Sequence, residues 1–123
     1  MIDEAWAEEF AKEWVEAWNA HNLERIFSHY TDDFEMSSPL IVQRMRVPSG
    51  TLKGKDAIRP YWQIGLEQIP PLRFEFLDVL IGANSITILY RNQNGVLVAE
   101  VLIFNTDGKA IKGMAHYAEK QEL

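Results

Sequence analysis

Cysteine is absent from the 123-residue chain, and with it go disulfides, thiolate zinc sites, iron–sulfur clusters and a thiol nucleophile. A reducing compartment suits such a chain, and a cytoplasmic location is the expectation. No apolar run reaches the length needed to cross a bilayer. The opening MIDEAWAEEF is acidic and helical in pattern, where a secretory signal would be basic and then apolar. Positive charge is scarce: 12 Lys and Arg stand against 18 Asp and Glu, a formal net charge of -6. Such a chain lacks the field that holds phosphate backbones, so neither nucleic acid nor membrane is expected as a partner. There is no Gly-x-Ser-x-Gly elbow to support a serine nucleophile, and GTLKGK lacks phosphate-loop spacing. The three histidines, His21, His29 and His116, are dispersed and show no metal-ligand spacing. No metal and no cofactor are expected.

What is present is a core. With 47% hydrophobic and 11% aromatic residues, residues 1–123 read as one ordered domain. A chain of this length buries roughly two-thirds of the surface it exposes when unfolded. Trp6, Phe10, Trp14 and Trp18 recur every four residues, with Ala7, Ala11, Val15 and Ala17 beside them, and Glu and Lys fill the opposite face. That spacing predicts an amphipathic helix over Asp3 to Asn19. NLERIFSHY reads as a short second helix capped by Asn22, with Tyr30 directed inward. TDDFEMSSPLIV alternates like a strand, and QRMRVPSGTLKG reads as a loop or short hairpin. KDAIRPYWQIGLEQI is a third helix, with Pro60 expected in or just after its first turn.

From Leu72 onward the period changes to two. LRFEFLDVLI, SITILYRNQ, VLVAEVLIFN and AIKGMAHYAE are strand-like runs, and the last two junctions carry Asn94-Gly95 and Asp107-Gly108. Such dipeptides between strand-like runs predict two-residue hairpin turns. Helices first and strands afterward, without βαβ alternation, argue for the α+β class with helices over one sheet face.

Two-residue turns set the registers. The first places Arg91 opposite Val98 and Leu89 opposite Glu100, so that Arg91 and Glu100 share a face as diagonal neighbours. The second places Glu100, Leu102, Phe104, Gly113, Ala115 and Tyr117 on one face, and Val101, Ile103, Met114 and His116 on the other. The first set contains small residues that leave room for the tryptophan stripe, so it is the expected concave side. Glu100 then sits in apolar surroundings that raise its pKa while Arg91 lowers it, which makes the pair candidate catalytic residues. A purely structural ion pair is the other reading.

WVEAWNAHNLERIFSHYTDDFEMSSP, followed by GTLKGKDAIRPYW and the C-terminal meander, resembles the SnoaL-like branch of the nuclear transport factor 2-like superfamily. That superfamily includes ketosteroid isomerases and polyketide cyclases. The resemblance implies a cone: a strongly curved, mixed sheet, largely antiparallel, covered on its concave side by about three helices around an apolar pocket. It also implies a homodimer through the outer sheet face. The fold hosts many activities, so the site has to be argued separately. In ketosteroid isomerases the residue before the strand-ending proline is a proton-moving aspartate, a tyrosine on the first helix binds the oxyanion, and an inward acid on the penultimate strand assists. Here those places hold Ser38, Trp14 and Glu100. Serine is no base near neutral pH, and an indole donates a hydrogen bond without exchanging a proton. The isomerase mechanism in its family form is therefore not expected.

The wall of the expected pocket is Trp14, Trp18, Trp62, Phe76 and Tyr117, with Leu102 and Phe104 on the same concave face and Ser38 at the strand end. Ser38 has two readings, an orienting hydroxyl or a strand terminus. Glu35 and Asp78 are candidate second carboxylates whose direction alternation does not decide. Tyr117, Tyr61 or Tyr90 can pair with Glu100 in acid–base work. Arg44 and Arg46 receive an anion at the mouth or stand in a solvated loop. Three functions remain open: a small lyase, isomerase or hydrolase acting on an apolar oxygenated molecule; a ligand binder; and a dimerisation module whose hollow is filled by Trp14, Trp18, Phe104 and Tyr117.

Overall fold

Asp3 starts the first helix: its carboxylate accepts the Trp6 N–H at 3.1 Å, and α1 runs Glu4–Asn19. Asn22 does the same for α2, Leu23–Phe27, accepting from Arg25 N–H at 3.1 Å. The computed structural model describes residues 2–118. The two helices are tied by Glu13, which accepts from the Arg25 guanidinium and lies 3.0 Å from His29 Nε2. Asn19, the last residue of α1, accepts from Phe74 N–H at 2.6 Å and donates to Phe74 C=O at 2.9 Å. That pair of bonds fixes the chain leading into the third strand against the end of α1.

Among the described residues six strands form one sheet: β1 Tyr30–Ser37, β2 Thr51–Lys53, β3 Glu75–Ile81, β4 Ser85–Arg91, β5 Leu97–Phe104 and β6 Ala110–Tyr117. Their order is β2-β1-β6-β5-β4-β3, with β1 and β6 parallel and the other neighbours antiparallel. Register irregularities interrupt β1, β3 and the β5–β6 pair, and such irregularities bend a sheet. The architecture is the α+β cone, a curved mixed sheet with helices on its concave side. Among the described residues no helix is long and apolar enough to cross a membrane.

Among the described residues the helices number four. The alternation read through SSPLIV as strand ends at Ser37; Pro39–Met45 is a helix, α3, capped by Ser38 and ended by Arg46 at φ 56°. Pro39 has no N–H to give a ladder, and at the first helical position it needs none. The last helix, α4, is Lys55–Leu66, and Pro60 lies inside it, in its second turn, deeper than the sequence reading placed it. Its absent N–H leaves the Asp56 carbonyl without the usual helical donor.

The hairpin turns differ from expectation in a way that matters for the site. Asn92–Val96 and Asn105–Lys109 close the same way: a backbone bond from the Gly N–H to the Asn C=O, a second from the Asn N–H to the residue after Gly, and the Asn side chain accepting two further N–H groups. Gly95 and Gly108 both sit at φ 77°, a left-handed conformation that glycine adopts without Cβ strain. Each loop is thus one residue out of phase with a two-residue turn. In the second hairpin an irregularity after Ile103 restores the phase, so Leu102 opposes Gly113 and Glu100 opposes Ala115 as the sequence reading has them. In the first no irregularity intervenes. Arg91 opposes Leu97, Tyr90 opposes Val98, and Ile88 opposes Glu100. The side chain that shares the concave face with Glu100 is therefore Tyr90, and Arg91 is turned to the outside.

Trp6, Phe10 and Phe104 pack on one another at 4.9 to 5.2 Å between ring centroids. Val101, Ile103, Met114 and His116 stand on the outer face, partly or fully exposed.

Candidate active site

A second aromatic group forms around Trp14 and Trp18, and this one does not close. Trp18 meets Trp62 at 5.0 Å, Trp14 meets Phe74 at 5.8 Å, and Phe74 stacks on Tyr90 at 4.1 Å. Between these rings and the concave side of the sheet remains a cavity of about 90 Å³. One water needs roughly 10–15 Å³ by this measure, so several waters or one compact ring fit.

Glu100 from β5 lines this cavity and is only 4% exposed. It is the single buried carboxylic acid among the described residues. Tyr90 Oη donates to Glu100 Oε1 at 3.0 Å. Burial raises the carboxyl from 4.5 to about 7, and the Tyr90 hydrogen bond works against that rise. Burial, followed by the nearby Glu100 charge, likewise lifts Tyr90 well above the ordinary phenol range. Tyr30, which also lines the cavity, is raised by burial and then by Glu100. Trp14 Nε1 donates to Tyr30 Oη at 2.9 Å. That bond occupies the indole N–H and leaves the Tyr30 proton free to donate; among the described residues no acceptor takes it. A carboxyl group and two phenols thus meet at one patch of an otherwise aromatic wall.

The residues singled out from sequence fall into four groups. Glu100, Trp14, Trp18, Trp62 and Tyr117 line the cavity. Leu102 is fully buried in the core, Phe104 packs with Trp6 and Phe10, and Phe76 is half-buried against the core; none of the three reaches the cavity wall. Ser38 is buried, caps α3 through Leu40 N–H at 3.1 Å, and acts on the Tyr61 and Tyr117 phenols. It is a strand terminus and helix cap that also touches the site's edge. Arg91 is the correction: it is exposed, donates to Gly95 C=O at 3.2 Å, and is on the face away from Glu100. The closure of its turn over Asn92–Val96, with no irregularity to restore the phase, moved it there. Glu35 and Asp78 also point away, Glu35 toward Lys53 at 3.8 Å and Asp78 into solvent. Phe74, Leu40, Arg44 and Gln93 line the cavity and were not assigned to its wall from sequence. The Asn-x-x-Gly-x pattern shared by NQNGV and NTDGK is the signal that would have turned Tyr90 inward.

Among the described residues no group of three or more histidines and acids is placed to hold a metal ion. The polar groups on the cavity wall are phenols, a carboxyl, two amides, a guanidinium and the Trp18 indole N–H.

Comparison with known proteins gives the lineage. None of the functionally curated proteins matches the chain significantly. A SnoaL-like protein of unknown function from Burkholderia thailandensis E264 is 48% identical, with a TM-score of 0.92 over 96% of this chain and 98% of its own. An NTF2-like protein of unknown function from Burkholderia pseudomallei K96243 shares the fold at 18% identity, TM-score 0.72, over 90% and 89% of the two chains. TerC, co-crystallised with polyporic acid, shares it at 14% identity, TM-score 0.74, over 90% of each. The family model of the SnoaL-like domain matches residues 11–119, and the chain belongs to the SnoaL-like family.

Proposed function

We propose that the protein is a proton-transfer enzyme acting on a small apolar carbonyl compound, with Glu100 moving the proton. The observation that carries this is the position of Glu100, a lone buried acid on the wall of an aromatic cavity, hydrogen-bonded to Tyr90 and close to Tyr30. At neutral pH a carboxyl titrating near 7 is present in both forms. The ionised form takes a proton from the carbon next to a carbonyl. The C–H bond breaks, the electron pair moves onto the carbonyl oxygen, and Tyr30, whose phenol proton is free, supplies a hydrogen bond to the enolate so formed, while Tyr90 stays hydrogen-bonded to Glu100. Return of the proton to the same or another carbon completes an exchange or an isomerisation, with nothing gained or lost. A single acid performs both transfers, which suits a site where Ser38 and Trp14 stand at the positions of the isomerases' aspartate and tyrosine. TerC's co-crystal with polyporic acid supports a small molecule as the occupant.

Incubation with a panel of compact aryl and cycloalkyl ketones in deuterated water, followed by NMR, tests this. Exchange of α-protons above the buffer rate is expected, with Glu100→Gln at least about 100-fold slower. Bound ketones without exchange would overturn the catalytic reading and leave a binding protein, the reading favoured by the absence of a second buried carboxylate among the described residues. The rival of a filled dimerisation module sits poorly with the open cavity.

The same reading includes a homodimer through the outer sheet face. Support comes from the apolar character of that face, where Leu80 is 52% exposed and Leu89, Val101, Ile103 and Met114 are partly so.

A further inference from the structure

Beside the cavity stands an arginine that no acid pairs among the described residues. Arg44 on α3 lines the wall, and its Nη1 lies 3.7 Å from where a Cβ on Gly65 would stand. The guanidinium thus lies against Gly65 on α4 at ordinary contact distance. Arg25 and Arg59 are each matched with glutamates, while Arg44, though half-buried in a chain of net charge -6, has no ion pair and no side-chain hydrogen bond among the described residues. Its charge reaches inward: burial raises Tyr61 and Tyr117, and Arg44 is among the groups that counter that rise. It does not figure among the groups acting on Glu100. The cavity wall therefore carries a cation as well as a carboxyl with its neighbouring phenols.

Two further groups on this wall are unsatisfied. Trp18 Nε1 is buried without an acceptor and Gln93 Oε1 without a donor, and both residues line the cavity. A buried polar group left unpaired is costly, so two on a wall that also carries a guanidinium without an ion pair among the described residues mark a place where a ligand completes the bonding. A guanidinium fork and an indole N–H are donors that suit the oxygen pair of a carboxylate. The Gln93 oxygen requires a donor such as a hydroxyl or an enol. The aromatic walls and the volume of about 90 Å³ restrict the body to a compact ring.

We infer that Arg44 and Trp18 form a carboxylate subsite, that Gln93 Oε1 accepts from a hydroxyl or enol of the same ligand, and that the ligand class is a compact aryl or cycloalkyl oxo or hydroxy acid bound as its anion. The inference rests on the proton-transfer reading for the orientation of the carbonyl toward Glu100, and on Arg44 and its unpaired neighbours for the anion. Phenylpyruvate, phenylacetate and the neutral isostere phenylacetamide are the probes, with tryptophan fluorescence titration as the readout. Wild type is expected to bind phenylacetate at least 10-fold more tightly than phenylacetamide. Arg44→Gln is expected to bring the ratio near 1, Arg44→Lys to retain part of it, and Trp18→Phe to reduce it with the fold intact by circular dichroism. Equal binding of acid and amide by wild type, no binding of either acid, or a ratio unchanged in Arg44→Gln overturns the inference. Glu100→Gln separates the two readings. If it abolishes α-proton exchange in phenylpyruvate while keeping the acid-over-amide ratio, both stand. If wild type and variant exchange equally and the ratio persists, the subsite stands and the proton-transfer role falls.

Discussion

Tyr90 and Glu100 are diagonal neighbours on adjacent strands, Oη to Oε1 at 3.0 Å, with both side chains buried. A phenol is the only side chain hydrogen-bonded to this carboxyl among the described residues. A carboxylate with a cation at that distance would be a fixed anion near neutral pH; one with a phenol stays able to gain and lose a proton.

Glu100 titrates at 4.5 in the unfolded chain and at about 7 in the folded one. Between those values the unfolded chain releases its proton while the folded chain holds it, so the stability contribution is fully present below 4.5 and is lost as pH rises to about 7. The loss amounts to roughly 3 kcal/mol. Urea unfolding at pH 4 and pH 8 is expected to show wild type losing about that much more than Glu100→Gln over the interval. An equal pH dependence in the two proteins would show that the acid is solvated. Because the Tyr90 bond opposes the rise, Tyr90→Phe is expected to move the carboxyl higher still, read by carbon NMR of labelled glutamate.

Trp14 supports Tyr30 through the 2.9 Å bond from its indole N–H, and both side chains are buried, at 1% and 3% exposure. Trp14→Phe leaves the Tyr30 oxygen without that donor and opens space beside Phe74, for an expected loss of about 2–3 kcal/mol in denaturant unfolding. A double-mutant cycle with Tyr30→Phe is expected to return a coupling of about 1 kcal/mol. Coupling near zero would remove Trp14 from the positioning of the phenol.

Val101 lies in the middle of the outer face, opposite Thr87 on one side and Met114 on the other. If that face joins two copies, light scattering will find wild type dimeric at micromolar concentration and Val101→Glu monomeric, with unchanged circular dichroism. A monomeric wild type would end the dimer proposal.

The pattern of side chains alone specified much of this molecule. Trp6, Phe10, Trp14 and Trp18 could bury themselves on one face only as a helix, because 3.6 residues per turn aligns them. Alternation placed Glu100, Leu102 and Gly113 on one side of a strand and Val101, Ile103 and Met114 on the other, and the sheet keeps that division. What alternation could not supply is phase between strands. NQNGV and NTDGK close alike, yet one hairpin carries a compensating irregularity and the other does not. A slip of one residue exchanged Arg91 for Tyr90 beside Glu100.

The same division applies to the cavity. Sequence reading found the inward acid and most of the indoles, since burial and periodicity are local properties of each element. It missed Phe74, held at the cavity by Asn19 fifty-five residues earlier, and had α3 as strand and loop, so it left Arg44 between the mouth and solvent. Local preference determined which faces are apolar and which segments are helix or strand. The tertiary structure alone decided which polar atoms meet, because that depends on turn closure and on helices packing across distances that no short stretch of chain encodes.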